Sequence, residues 1–155
     1  MKILITAFHN TSAQKLISHC LADTLIIEND KKRCAEQIEN AVKQGTYDIV
    51  FCFGQRPNIK DKVYIENQCQ MGDNVLKTAF DCEALCRAFE QNGITSKLSH
   101  NAGTSYCNHL YYSGLSASEN TKIQIVFVHI PFEKNISDFD EFAMKIIKTV
   151  NEWRN

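Results

Sequence analysis

The sequence predicts an α/β protein, a three-layer α/β/α sandwich with a mostly parallel central sheet. Two observations predict it. Short β-branched or wholly apolar runs alternate with longer stretches whose apolar residues recur at helical spacing. The runs Asp48 to Gly54 and Ile123 to His129 are apolar almost without a break, as strands covered on both faces must be. Right-handed crossovers would then place helices on both faces of the sheet. Ligands in such sheets collect at the carboxyl ends of the strands.

Lys2 to Thr6 is a short β-branched-rich strand, and the polar loop after it offers Asn10, Thr11 and Ser12 as helix caps. A helix is expected over residues 13–22, with Leu16, Ile17 and Cys20 on one face. Thr24 to Ile27 is the second strand. Asn29 or Asp30 caps a helix over 31–44, in which Cys34, Ile38, Ala41 and Val42 share a face and Gly45 lies just past the end. Asp48 to Gly54 is the third strand. Residues 55–73 are looser, with strand alternation at Lys62 to Glu66. A helix is expected from Asn74 to Gln91, stopped by Asn92-Gly93, and Ser96 to Ser99 is a short strand. Thr104 to Leu115 reads as a helix, Ile123 to His129 as a buried strand, and Asp138 to Trp153 as the final helix. No repeat, linker or low-complexity tract divides the chain, so residues 1–155 are expected to form one domain.

Composition narrows the function. The 155 residues carry 17 Lys and Arg against 18 Asp and Glu, with no basic stripe to displace phosphate counterions. The longest apolar run, Ile123 to Pro131, is interrupted by Gln124 and His129 and falls well short of the roughly 20 residues of a membrane helix. The N-terminal run has no signal-peptide pattern. These features lead us to expect a cytoplasmic protein with no nucleic-acid or membrane partner. The seven cysteines are odd in number, and the chain is long enough for a real core, so no disulfide framework is required. Cys82 and Cys86 lie four apart with no second pair at zinc-ligand spacing, and His9, His19, His100 and His109 show no metal-ligand pattern. No nucleotide-binding glycine motif is present, so neither metal nor cofactor is expected.

One thiol stands apart. Cys107 follows Asn101-Ala102-Gly103-Thr104-Ser105-Tyr106, where Gly103 permits a tight turn and Thr104 or Ser105 can cap the next helix. Its place in the first helical turn, near unpaired backbone N–H groups and the positive end of the dipole, favours a thiolate and could stabilise an oxyanion. His129 ends an apolar strand on the same sheet edge, where a neutral imidazole could take the thiol proton and later protonate a leaving amine. In Val63-Tyr64-Ile65-Glu66 the apolar pair shares one face, leaving Tyr64 and Glu66 on the other. A carboxylate there could orient His129. Each residue also has a plainer reading: a packed thiol, a backbone-bonded histidine and a solvated carboxylate.

Asn101 to Asn108, followed by Leu110-Tyr111-Tyr112, resembles the cysteine signature of the pyroglutamyl peptidase I (pyrrolidone-carboxylate peptidase) family. Phe127-Val128-His129-Ile130-Pro131 resembles that family's histidine motif, Val63 to Glu66 its glutamate segment, and Phe51 to Gln55 the strand and Gly-Gln before it. Lys2 to Phe8 resembles its opening strand. The resemblance implies a phosphorylase/hydrolase-like sandwich and a cysteine peptidase that removes an N-terminal pyroglutamyl residue from a peptide or small amide. It makes Cys107 the nucleophile, His129 the general base and acid, and Glu66 the orienter. Phe8 would lie against the lactam ring, held also by Gln55 and the backbone near Tyr106. Family members are commonly oligomeric, which leaves a homo-oligomer open.

The chain departs from the family pattern at several points. Two regions are shortened, Ala7 stands for glycine, Thr11 for a second aromatic residue, and Ser105 for an aromatic before the nucleophile. The family's Gly-Arg before the glutamate segment is missing, with Lys60 at about its spacing. A second reading is therefore a diverged member with an altered amide substrate or little activity. A third, from another class, is a flavodoxin-like module holding a phosphate or cofactor with Phe8 to Ser12.

Overall fold

The computed structural model describes residues 1–153. Strands β1 (Ile3–Phe8), β2 (Asp23–Ile27), β3 (Ile49–Arg56), β4 (Lys62–Glu66), β7 (Thr95–Ser99) and β8 (Gln124–Pro131) form one sheet in the order β2-β1-β3-β8-β4-β7. Every neighbouring pair is parallel except β4 with β8. Strands β5 (Gln68–Met71) and β6 (Asn74–Lys77) make a separate antiparallel hairpin. Helices α1 (Ser12–Ile17), α3 (Cys82–Gln91) and α5 (Phe139–Trp153) pack with Ile3, Phe51, Phe53, Ile65 and Val128 on one face of the sheet. On the other face, α2 (Lys31–Lys43) and α4 (Tyr106–Ser118) pack with Leu4, Phe8, Cys52 and Phe127. The result is an α/β/α sandwich whose sheet has four parallel strands, β2, β1, β3 and β8, with β4 and β7 running the opposite way.

Three elements differ from the sequence expectation, each for a local reason. The helix expected over 13–22 ends at Ile17, because the His19 and Cys20 amides reach back only three residues, to Leu16 and Ile17. The expected helix over 74–91 is a strand, a turn and a shorter helix. Gly72, at φ +57°, closes the β5–β6 hairpin, and the Asp81 carboxylate then caps α3 by accepting from the Ala84 amide at 2.9 Å. Val75, Leu76, Ala79 and Phe80 mimic a helical spacing across that break. Helix α4 begins at Tyr106 and runs to Ser118, and its N-cap Ser105 makes no side-chain capping bond.

The central strands are also longer at their carboxyl ends than expected: β1 runs to Phe8, β3 to Arg56 and β8 to Pro131. Gln55, Arg56 and Phe8 thus stand on strand ends rather than in free loops, level with His129.

Helix α4 is tied down on both sides. The Asn108 carboxamide accepts from the Gln70 amide at 3.1 Å and donates to the Gln70 carbonyl at 2.8 Å, clamping β5 to the helix. One turn on, the buried Tyr111 hydroxyl donates to the Glu66 carbonyl at 2.8 Å. Asn108 is buried, so Asn108→Ala leaves two backbone groups without partners. A loss of about 2 kcal/mol in denaturant unfolding is expected, and a loss below about 0.5 kcal/mol would show that the clamp carries no strain-bearing load.

Candidate active site

Four strand ends and the start of α4 converge at one place. Gly54 on β3 is the register partner of His129 on β8, and Tyr64 on the antiparallel β4 is His129's partner on the other side. The His129 ring lies over Phe127, with centroids 4.8 Å apart, and is buried at 4% exposure. Its Nδ1 lies 2.9 Å from Oε1 of Glu66, a carboxylate with no exposed surface at all.

The same Glu66 oxygen accepts from Arg56 Nη1 at 3.2 Å, and the guanidinium stacks over the Tyr64 ring at 4.8 Å. Glu66 Oε2 has no hydrogen-bond partner among the described residues. The arginine beside this carboxylate was not recognised in the sequence. Lys60, which sits near the expected spacing, is exposed and forms no ion pair among the described residues. The missed signal was the extra length of β3, which carries Arg56 onto the strand end.

Cys107 is the second residue of α4 and is partly exposed. Its sulfur sits directly over Gly54: a Cβ built at position 54 would meet Cys107 Sγ at 2.6 Å and Phe127 Cζ at 2.7 Å. Only glycine lets the thiol approach the sheet there. Gly54 and His129 are register partners, their backbones roughly 5 Å apart on adjacent strands, and Cys107, seated over Gly54, lines the same cavity as His129. No hydrogen bond joins them among the described residues.

Burial decides the protonation of this thiol. Desolvation, reinforced by Cys52, Cys34 and Glu66, pushes Cys107 from an ordinary 9.0 to about 12. A helix N-terminus is worth about 0.3–1 kcal/mol, less than one pH unit. Burial therefore works against the expected thiolate more strongly than the dipole favours it, and it holds Cys107 toward the neutral thiol.

Cys107 stands on the partition between two cavities that share Gln55, Pro57 and Ser105. One, of about 410 Å³, is lined by His129, Arg56, Tyr64 and Asn101 to Gly103. The other, of about 360 Å³, is lined by Phe8, Thr11 and Tyr106, whose rings lie 6.2 Å apart in the case of Phe8 and Tyr106. Gln55 uses its carboxamide oxygen to accept from the Ser12 amide at 3.1 Å, which leaves its N–H groups for the cavities. Thr11 caps α1, accepting from the Gln14 amide and donating to the Phe8 carbonyl at 2.7 Å. A roomier space of about 630 Å³ along α5 is lined by residues such as Met144 and Ile147 and holds no nucleophile.

The loop Phe8 to Ser12 does not form a phosphate cradle. The Ser12 amide is given to Gln55 and the Asn10 amide to Gln14, and α1 is six residues long. No group of three or more His, Cys, Asp or Glu side chains able to hold a metal occurs among the described residues, and no helix among them is long and apolar enough to cross a membrane. All seven thiols are free.

Residues 57–151 match the model of the pyroglutamyl peptidase family. A pyrrolidone-carboxylate peptidase of Vibrio vulnificus is 43% identical over 122 residues, covering 78% of this chain and 55% of that protein. One from Staphylococcus saprophyticus is 26% identical over 187 residues, covering 97% of this chain and 88% of the relative. The crystal structure of pyroglutamyl peptidase I from Bacillus amyloliquefaciens has the same fold, with a TM-score of 0.81 at 18% identity over 96% of this chain and 94% of that one. The pyrrolidone carboxyl peptidase of Thermococcus litoralis gives 0.79 at 16% identity, over 97% and 91%.

A neutral thiol fixes how alkylation depends on pH. The rate of Cys107 carbamidomethylation, read by peptide mass spectrometry, is expected to rise about tenfold per pH unit from about pH 6 to 9. A plateau below about pH 8 would mean that a thiolate is already formed. Gly54→Ala is expected to cost about 1–3 kcal/mol by overpacking and to displace the thiol; unchanged stability and unchanged alkylation would show that Cys107 has room to spare.

Proposed function

The chain belongs to the pyroglutamyl peptidase family of cysteine peptidases, and from that premise we propose that it hydrolyses the amide bond after an N-terminal pyroglutamyl residue, with Cys107, His129 and Glu66 as its catalytic groups. The observation that carries this reading is the coincidence, at one sheet edge, of a thiol seated over Gly54 and an imidazole on the register-paired position, backed by a buried carboxylate.

The pyroglutamyl acyl group lies in the cavity of Phe8 and Tyr106. A lactam has no ammonium, so an apolar wall with amide donors such as Gln55 suits it. Because the thiol is neutral, its proton leaves as the C–S bond forms. Cys107 Sγ attacks the pyroglutamyl carbonyl while His129 Nε2 accepts the proton, and Nδ1–H donates to Glu66 throughout. The tetrahedral oxyanion is met by backbone N–H groups at the start of α4, where Ser105 leaves them uncapped by its side chain. Collapse breaks the C–N bond, and the imidazolium protonates the leaving amine. A water then gives its proton to His129 and its oxygen to the thioester carbonyl, releasing pyroglutamate and the free thiol.

Thr11 stands where the family pattern has a second aromatic residue, and here it serves as the α1 cap. This narrows the aromatic wall to Phe8 and Tyr106 without removing it.

Release of a fluorogenic amine from a pyroglutamyl amide is expected for the wild type and is expected to vanish in Cys107→Ala. Glu66→Gln is expected to lower kcat by about a hundredfold or more, since the carboxamide no longer stabilises an imidazolium. Turnover that survives in Cys107→Ala would remove the proposed nucleophile, and a wild type inert toward every pyroglutamyl substrate would remove the proposed activity.

A further inference from the structure

The cavity that holds His129 is lined by Arg56 and Tyr64, and beside Tyr64 lies an unusual stretch of sheet. Lys62, Tyr64 and Glu66 alternate onto the α4 face of β4, and Lys97 on the edge strand β7 is the register partner of Tyr64. This edge of the face stays open: Thr95 and Lys97 are exposed, and Lys62 and Tyr64 are partly so. Three cations surround the Tyr64 ring, Arg56 at 4.8 Å, Lys62 at 5.7 Å and Lys97 at 5.8 Å from its centroid. Neither lysine has a carboxylate partner among the described residues. Glu66, the acid among the described residues of β4 and β7, is fully buried and bound to Arg56 and His129. Asp61, next to Lys62 in sequence, is turned away and bound to the amide and hydroxyl of Ser137.

The reaction fixes which half of a substrate meets this face. His129 must protonate the leaving amine, so the leaving group lies on the His129 side of Cys107, and the acyl group lies on the Phe8 side. The chain that continues from the leaving nitrogen then runs toward Tyr64, the cavity wall that carries the two lysines. We propose that Tyr64, Lys62, Lys97 and Arg56 form a leaving-group subsite that selects pyroglutamyl peptides carrying a carboxylate just after the scissile bond. That carboxylate is an acidic side chain on the next residue or the terminal carboxylate of a pyroglutamyl dipeptide. This rests on the pyroglutamyl reading above.

The test is kcat/KM for pyroglutamyl-glutamyl, -glutaminyl and -lysyl amides, with pyroglutamyl-glutamine bearing a free carboxylate as a fourth substrate. The wild type is expected to favour glutamyl over glutaminyl by about three- to tenfold at low salt, and lysyl to be the poorest, with the preference shrinking in high salt. Preference for the free-carboxylate dipeptide over its amide would identify the terminal carboxylate as a second occupant. Lys97→Glu, on the exposed edge, is expected to abolish or invert the glutamyl-to-lysyl ratio, and the milder Lys97→Gln to halve it or more. Hydrolysis of all four substrates at similar kcat/KM, with ratios unmoved by either variant, would overturn the subsite while leaving the peptidase reading intact. Failure to cleave any of them would overturn the activity and the subsite together.

Discussion

The structure depends on a carboxylate that has no contact with water. Glu66 is fully buried, and an ion in that position is tolerated only if donors meet it, since an unpaired buried charge costs several kcal/mol. Three adjacent strands supply the answer. Strand β4 brings the carboxylate, β8 brings His129 to Oε1 at 2.9 Å, and Arg56 at the end of β3 reaches the same oxygen at 3.2 Å. The antiparallel insertion of β4 makes this possible: it sets Tyr64 opposite His129 and carries Glu66 two residues deeper, beside Phe127. With Nδ1 held by the carboxylate, Nε2 is the ring nitrogen left to face the cavity. The backbone of Glu66 is fixed in turn by the Tyr111 hydroxyl, so the helix that carries the thiol is fastened to the strand that carries the carboxylate.

The thiol is placed by the opposite device, the absence of a side chain. Gly54 leaves a hollow in the sheet face that Cys107 Sγ occupies, packed against Phe127 and close to Cys52. The same packing raises the thiol to about 12 and so disfavours a standing thiolate. In the proposed reaction the nucleophile is thus generated by proton transfer to His129 during attack, which places the demand on the imidazole and on Glu66 behind it. A free thiol kept neutral is also a poor target for adventitious oxidation.

The alternation of strands and helices was legible because the buried strands are almost wholly apolar and the amphipathic helices keep their period. The hairpin β5–β6 was not. Gln68-Cys69-Gln70-Met71 carries no β-branched residue, and the strand is held mainly by its partner and by Asn108, a contact 38 residues away. Cys107, His129 and Glu66 could be picked out because their motifs occur in family order. Arg56 could not, because a residue in a looser segment shows no period, and its role comes from β3 outrunning its apolar core. The shift of the Cys107 thiol is hidden for a related reason: helix position can be read locally, whereas burial of the thiol over Gly54, near Cys52, Cys34 and Glu66, depends on residues distant in sequence.

Charge divides the two cavities as the chemistry requires. A pyroglutamyl group is uncharged, and the side of the thiol facing Phe8, Thr11 and Tyr106 has no charged side chain apart from what a histidine, His9, could carry. The other side holds Arg56, which meets the buried Glu66 carboxylate at 3.2 Å. The cation that meets the buried carboxylate is partly exposed, with its side chain 30% accessible, and it lines the cavity on the His129 side of the thiol. In the proposed reaction, support of the Glu66–His129 pair and recognition of the departing peptide draw on one residue. Any change that weakens Arg56 also loosens its hold on Glu66, whereas Lys62 and Lys97 touch the Tyr64 ring and no carboxylate among the described residues, so the proposed selectivity is freer to drift through them.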